Sequence, residues 1–278
     1  MLKLMYITNT KELMEIADST GVDRVIVDLE KIGKGERQRG WNSVISNHTI
    51  DDVTLARKTL KHAELMVRIN SMNEGSEKEI NDVIDRGADI VMLPYFKTAD
   101  EVRRFVEIAG GRTQVSILVE TKEAVENIDE ILSIKGIDEV HIGLNDLSHS
   151  YGKPFLFEMF PNGVVDYVIA KLKEHGYKNY GIGGIARLNH GLIPAEDIIA
   201  EHYRLGSSCA ILSRAFCNPE EVRNMSSIRE IFETEIARIR NLEKIVTEFD
   251  DEMFEYCRKR FNEKVRIVSE EMEKKAAK

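Results

Sequence analysis

Residues 114–146 read QVSILVETKEAVENIDEILSIKGIDEVHIGLND, and this stretch decides the fold. Two apolar runs, QVSILVE (114–120) and EVHIGLN (139–145), flank a helical pattern that stops by Gly136. The runs are nearly continuous in branched aliphatics rather than alternating. That is how parallel strands covered on both faces read. The unit is therefore strand, helix, strand.

The same alternation extends in both directions, with runs at LKLMYI (2–7), DRVIVDLE (23–30), ELMVRIN (64–70), DIVMLPY (89–95), NYGIGGIA (179–186) and SCAILS (208–213). Between them, Leu13, Met14 and Ala17, or Ala99, Val102, Phe105, Val106 and Ala109, form single apolar stripes that lay a helix on a sheet. Thr98, followed by Asp100 and Glu101, reads as an N-cap, and Gly87, Gly110, Gly136 and Gly176 stand where helices should end. Eight strands alternating with helices within about 215 residues predict an α/β fold, a (β/α)8 TIM barrel. A doubly wound open sheet is the alternative, but the first strand–helix turn, ITNTKE, has no glycine-rich nucleotide fingerprint.

Two segments break the rhythm. Nineteen residues, Lys31 to Thr49, follow the second strand before helical periodicity resumes. They leave the C-terminal end of a barrel strand, where active sites form, and carry Lys31, Lys34, Arg37, Arg39 and Trp41. This basic loop suits a phosphate, a coenzyme A tail or a sugar acid; a solvated surface loop is the plainer reading. After Pro219, the residues Phe232, Ile236, Ile239, Leu242, Val246, Phe249, Met253, Cys257, Phe261, Val265, Val268 and Met272 recur at steps of three or four. The expectation is a barrel domain over 1–218 and amphipathic helices over 219–278 that cover the barrel or, more readily, build a homo-oligomer.

Composition narrows the function classes. With 39 Lys+Arg against 48 Asp+Glu, the 278-residue chain has a formal charge of −9, which argues against bulk nucleic-acid binding. Cys209, Cys217 and Cys257 are too few and too irregular for a disulfide framework or a zinc site, so they read as reduced thiols. MLKLMYITNT lacks a signal-peptide layout, and runs such as VMLPYF fall far short of a membrane span of roughly 20 residues. A soluble, cytoplasmic protein that binds neither membrane nor nucleic acid is expected.

In a barrel, charges at the C-terminal strand ends become candidates for chemistry: Asp28 and Glu30 on the second strand, Arg68 on the third, Glu120 on the fifth and Asp146 after the sixth. Each interrupts or ends an aliphatic run, where a charge is costly unless it is paired or metal-bound. Glu120 and Asp146, on neighbouring strands, suit a hard divalent cation with oxygen ligands. Arg68 is placed to fork onto a carboxylate, carbonyl or enolate oxygen. An ion-pair network closing the barrel mouth is the alternative.

The strings ELMVRIN, GADIVMLP with KTADEV, SILVETKEAVENIDEI and GIDEVHIGLNDLSHSYG resemble, in order, blocks of the hydroxy-oxo-acid aldolase and citrate lyase beta-subunit family. The resemblance covers about residues 20–155 and is most specific in LVET and in IGLNDLS with Gly152. It implies a pyruvate/phosphoenolpyruvate-type barrel, usually oligomeric through its C-terminal helices. By it, Glu120 and Asp146 match magnesium or manganese ligands, and Arg68 the arginine that holds the oxo-acid and its enolate. Backbone N–H groups around Gly143 and Asn145 match the substrate-carboxylate cradle.

VDLEK departs from the family. Asp28 and Glu30 carry over as substrate-side residues, but Lys31 stands where the aldolase branch has a histidine and the lyase branch a second Asp. A lysine is a poor replacement for a neutral imidazole. His48 is a substitute base only if its loop swings inward; solvent exposure is the plainer expectation. His141 reads as structural, and His149 as a neighbour of Asp146. Gly183, Gly184, Ser213 and Arg214 stand where many barrels bind phosphate, although tight strand packing also demands small residues there. The main reading is a metal-dependent carbon–carbon lyase acting on a small 2-oxo acid through an enolate. A coenzyme A thioester lyase and a non-catalytic acid-binding barrel that scaffolds partners are the alternatives.

Overall fold

The structure, a computed structural model, describes residues 1–34 and 46–276. Its strands are β1 Lys3–Ile7, β2 Arg24–Asp28, β3 Glu64–Arg68, β4 Ile90–Leu93, β5 Gln114–Val119, β6 Glu139–Ile142, β7 Tyr180–Ile185 and β8 Cys209–Leu212. They close in chain order into one barrel, so the (β/α)8 expectation holds, with each predicted run at its place. The helices are α1 Lys11–Thr20, α2 Ile50–Thr59, α3 Ser76–Asp85, α4 Ala99–Ala109, α5 Lys122–Glu126, α6 Ile128–Leu132, α7 Leu144–Ser150, α8 Val164–Glu174, α9 Ala195–Leu205, α10 Pro219–Val222, α11 Met225–Val246 and α12 Asp251–Ala276. By compactness the chain comprises two units, Met5–Val140 and His141–Lys278 together with Met1–Leu4. Arg37, Arg39 and Trp41 lie outside the described residues.

Within Met5–Val140, strand register sorts the barrel interior into layers. Arg24 stands opposite Glu64, Ile26 opposite Met66, and Asp28 opposite Arg68. Because side chains alternate along a strand, these three pairs share one face. Arg24 Nε donates to Glu64 at 2.7 Å and its Nη1 to Glu139 at 2.6 Å, on a strand that is not its neighbour. Only a path through the interior joins β2 to β6, so this face points inward. The layers run from an ion cluster at the strand starts, through Ile26 and Met66, to a second ion cluster at the strand ends. The first cluster has no counterpart in the reading of the sequence.

The helices form for the reasons their sequences state. Thr98 caps α4 in a capping box with Glu101, and Ala99, Val102, Phe105 and Ala109 are buried beneath it. Gly110 ends α4 in the left-handed conformation that a residue without Cβ adopts at no steric cost.

In the other unit, the glycines of β7 are explained by contact. A Cβ on Gly181 would lie 2.3 Å from His141 Nδ1, and one on Gly183 would lie 2.5 Å from Leu144 Cδ1. His141 bonds the Gly183 carbonyl through Nε2 at 3.1 Å and approaches Cys209 Sγ at 3.7 Å, which makes it structural as expected. Cys209, Cys217 and Cys257 are buried free thiols. The periodic tail forms the two long helices α11 and α12. Phe232 packs edge-on to Phe216, and Phe261 to Phe157 and Phe160. Asp197 of α9, fully buried, receives Arg260 and Lys264 of α12. Ile245, Met253, Tyr256 and Ile267 remain exposed. No helix among the described residues is long and apolar enough to cross a membrane.

Candidate active site

The upper ion cluster of Met5–Val140 gathers Asp28, Glu30 and Arg68, three of the residues singled out in sequence. Asp28 and Glu30 are each 1% exposed. Arg68 donates to both Asp28 oxygens, through Nε and Nη2, at 2.8 Å each. This planar fork fixes the guanidinium as well as neutralising it. It also occupies only one edge: none of the described residues accepts from Nη1. Ser46 Oγ donates to Asp28 Oδ2 at 2.6 Å. Burial alone would raise the Asp28 carboxyl, but Arg68, Lys34 and Ser46 outweigh it and hold the group well below the usual carboxylate range. Burial opposes the charge on Arg68 in turn, and Asp28, Glu30 and Glu120 raise it above its ordinary value.

Sequence order misplaces one member. Lys31, the expected occupant of the missing histidine's position, is exposed. The chain after Glu30 is turned outward by Asn70, whose Oδ1 accepts the N–H groups of Lys31 and Ile32 at 2.8 and 2.9 Å while Glu79 holds its amide. Lys34 takes the inner position instead. It is 3% exposed, and its ammonium lies 3.3 Å from Asp28 Oδ2 and 3.1 Å from Glu30 Oε2. The i,i+4 spacing of Glu30 and Lys34 was the available signal, hidden by the chemistry expected of the adjacent lysine.

His48 is also not where the plainer expectation put it. It is 8% exposed, and its Nδ1 accepts the Asp28 N–H at 2.9 Å. A backbone N–H can only donate, so the neutral ring carries its proton on Nε2. Burial shifts the imidazole downward from its ordinary pKa. His48 thus anchors the end of β2.

Glu120 follows β5 on the same inward face and is 4% exposed. Its Oε1 accepts the N–H of Tyr95 at 2.9 Å, a residue with left-handed backbone, φ 50°. Carboxylate oxygens of Glu30 and Glu120 lie within 4.8 Å of each other. Two buried carboxylates this close repel unless a cation sits with them. β5 neighbours β6, as the bond from the Asp138 N–H to the Val115 carbonyl shows.

In the unit His141–Lys278, Gly143 caps α7, and Asn145 and Asp146 occupy its first turn. Asp146 is 7% exposed, with His149 Nδ1 at 3.9 Å. Burial lowers the His149 imidazole, which Asp146 only partly counteracts.

A sequence model of the HpcH/HpaI aldolase/citrate lyase family matches residues 3–155, more than half of the chain. The chain belongs to this family. Solved structures carry the likeness to the fold of the whole. An HpcH/HpaI aldolase/citrate lyase family protein from Burkholderia cenocepacia superposes with a TM-score of 0.63 at 15% identity, over 82% of this chain and 94% of the other. An HpcH/HpaI aldolase from Desulfitobacterium hafniense gives 0.62 at 17%, over 82% and 93%. A 2-keto-3-deoxy-L-rhamnonate aldolase of Escherichia coli O17:K52:H18 is 29% identical over 177 residues, 53% of this HpcH/HpaI chain and 61% of the relative. The same enzyme of Shigella boydii gives the same figures. The chain thus spans about three-fifths of the length of these curated relatives.

Proposed function

We propose that this chain is a divalent-metal-dependent carbon–carbon lyase of the aldolase type, acting on a small 2-oxo acid through an enolate. One observation carries the reading: Asp28 clamps the Nε–Nη2 edge of Arg68, and among the described residues none accepts from Nη1, which suits an oxyanion. A structural ion pair has no need of an open edge.

The donors present fit a hard cation. Glu30, Glu120 and Asp146 are three buried carboxylates, each able to offer one oxygen. Magnesium and manganese take such oxygens and keep further positions for water or substrate. Glu120 and Asp146 would hold the ion, since Glu30 Oε2 is shared between Lys34 and, at 3.6 Å, Arg68. When bound, a divalent ion supplies Lewis-acid polarisation of the substrate's oxygens.

The chain's own groups do the rest. Arg68, fixed before substrate arrives, stabilises charge that develops on the enolate oxygen without reorganising. Gly143 and Asn145 belong to a helix start whose first N–H groups have no intrahelical partner and suit the substrate carboxylate. His48 is not set to remove a proton, because its acceptor nitrogen is occupied and the other carries hydrogen. We also propose a cytoplasmic homo-oligomer, supported by the exposed Met253, Tyr256 and Ile267 of α12 and by the free thiols.

The test is product analysis with a panel of 4-hydroxy-2-oxo acids and coenzyme A thioesters in the presence of manganese. Pyruvate release from an oxo-acid is expected. Release of an acetyl thioester, or turnover of nothing in the panel, overturns the aldolase reading.

A further inference from the structure

We infer that Arg187 is the receptor for a second acid group on the substrate, a carboxylate or a phosphate ester remote from the 2-oxo acid, an inference that rests on the function proposed above. Every residue it draws on lies within the unit His141–Lys278. Arg187 follows β7 and is half-buried. Its Nε is fully buried, and among the described residues none hydrogen-bonds or ion-pairs with its guanidinium. The Cys217 thiol feels its charge, but burial pushes that thiol up, and a neutral thiol is no counter-ion. A partly desolvated cation without an acceptor is costly until an anion reaches it. Arg214, the arginine expected beside β8, is exposed.

The loop that carries Arg187 is braced without using its side chain. The Arg187 N–H donates to the Ala215 carbonyl at 3.4 Å, and the Arg187 carbonyl accepts the His190 N–H at 3.0 Å. The Asn189 N–H donates to Glu196 Oε1 of α9 at 3.0 Å. The Asn189 amide group donates to the same oxygen at 3.3 Å and accepts from Arg238 of α11 at 3.0 Å, while Arg238 donates to Glu235 at 2.7 Å. Glu196 and Glu235 are thus engaged in holding the loop, and neither pairs with Arg187. A cation on a backbone fixed before the ligand arrives loses less freedom on binding, and its planar fork matches a carboxylate or a phosphate. The reach is also short. A Cβ on Gly183 would lie 2.5 Å from Leu144 Cδ1, so the end of β7 abuts the first turn of α7, proposed above to hold the oxo-acid's own carboxylate. Arg187 is four residues further on, at most about 14 Å of chain. Its side chain covers part of that distance, so one molecule the size of a sugar acid can engage both.

The first test is isothermal titration of the metal-free full-length chain with inorganic phosphate and, separately, with succinate. The tighter of the two identifies the group as a phosphate ester or a carboxylate. Arg187→Met should weaken that binding roughly 10- to 100-fold, the worth of a charge-assisted contact. Arg187→Lys keeps the charge without the fork, should fall between Arg187→Met and the parent, and keeps the idea testable if the Met variant does not fold. A parent that binds neither anion, or variants that bind as the parent does, overturns the inference. The second test is steady-state kinetics on 4-hydroxy-2-oxo acids that differ only in a distal hydroxymethyl, carboxylate or phosphate group. The preference for the acid-bearing substrate, read as a ratio of kcat/KM values, should collapse in Arg187→Met through KM more than through kcat. An unchanged ratio overturns the inference. Absence of turnover in the parent contradicts the lyase reading instead, and the titration then decides the role of Arg187 by itself.

Discussion

Arg68 works through its geometry as much as its charge. Nε and Nη2 are spent on Asp28, and no described residue accepts from Nη1. A lysine at position 68 keeps the charge but cannot hold Asp28 at one edge and an oxyanion at another. Arg68→Lys should therefore lose roughly two orders of magnitude in kcat/KM, the scale of one lost oxyanion contact at about 3 kcal/mol. Steady-state kinetics check this, and equal turnover would make Arg68 a purely structural ion-pair member. Asp28 carries a second expectation. Its pKa is depressed in the folded state, so its stabilisation is present above the unfolded value near 4 and lost as pH falls below it. In Asp28→Asn that part of the acid limb of the stability curve should flatten, read by urea denaturation between pH 5 and 3. Much of this cluster was legible in the sequence, because a charge ending an aliphatic run must find a partner. Lys34 was not, because the turn that exposes Lys31 depends on Asn70, 39 residues away in the chain and adjacent only once β2 and β3 pair.

The elements obey a simpler logic. Eight strands were legible because parallel strands buried on both faces leave continuous aliphatic runs, and the long helices because apolar residues recurred at three and four. What periodicity cannot supply is which helix meets which. Asp197 on α9 tethers α12 through Arg260 and Lys264, both only partly exposed. Asp197→Ala should cost about 1–3 kcal/mol and raise amide hydrogen exchange along Asp251–Ala276, because a buried charge pair loses one partner. Unchanged exchange there would show that the aromatic contacts of Phe261 suffice. His202, on α9, is 1% exposed, and burial pushes its pKa down to about 3. The unfolded chain binds that proton near pH 6.5, so between these values the unfolded state holds the extra proton. Stability is full above about pH 6.5 and falls as pH drops, by up to about 1.4 kcal/mol per unit. His202→Gln should flatten the slope between pH 6.5 and 5 in thermal melts; an unaltered slope would place the proton elsewhere.

For the whole molecule, the decisive question is whether the ends of the barrel strands act as one metal-dependent site. The tail belongs to that question only indirectly. Removing residues after Asn218 would take Phe232 from Phe216 and Phe261 from Phe157 and Phe160. We expect such a chain to aggregate or to fall apart into monomers in light scattering; a stable oligomer of unchanged subunit number would place the assembly contacts elsewhere. The central claim is tested most directly by incubating the protein with pyruvate in deuterium oxide and following the methyl protons by nuclear magnetic resonance. The account predicts exchange that requires added manganese or magnesium, and its loss in Glu120→Gln. Exchange that survives both metal removal and Glu120→Gln, or no exchange in the parent with metal present, would contradict it.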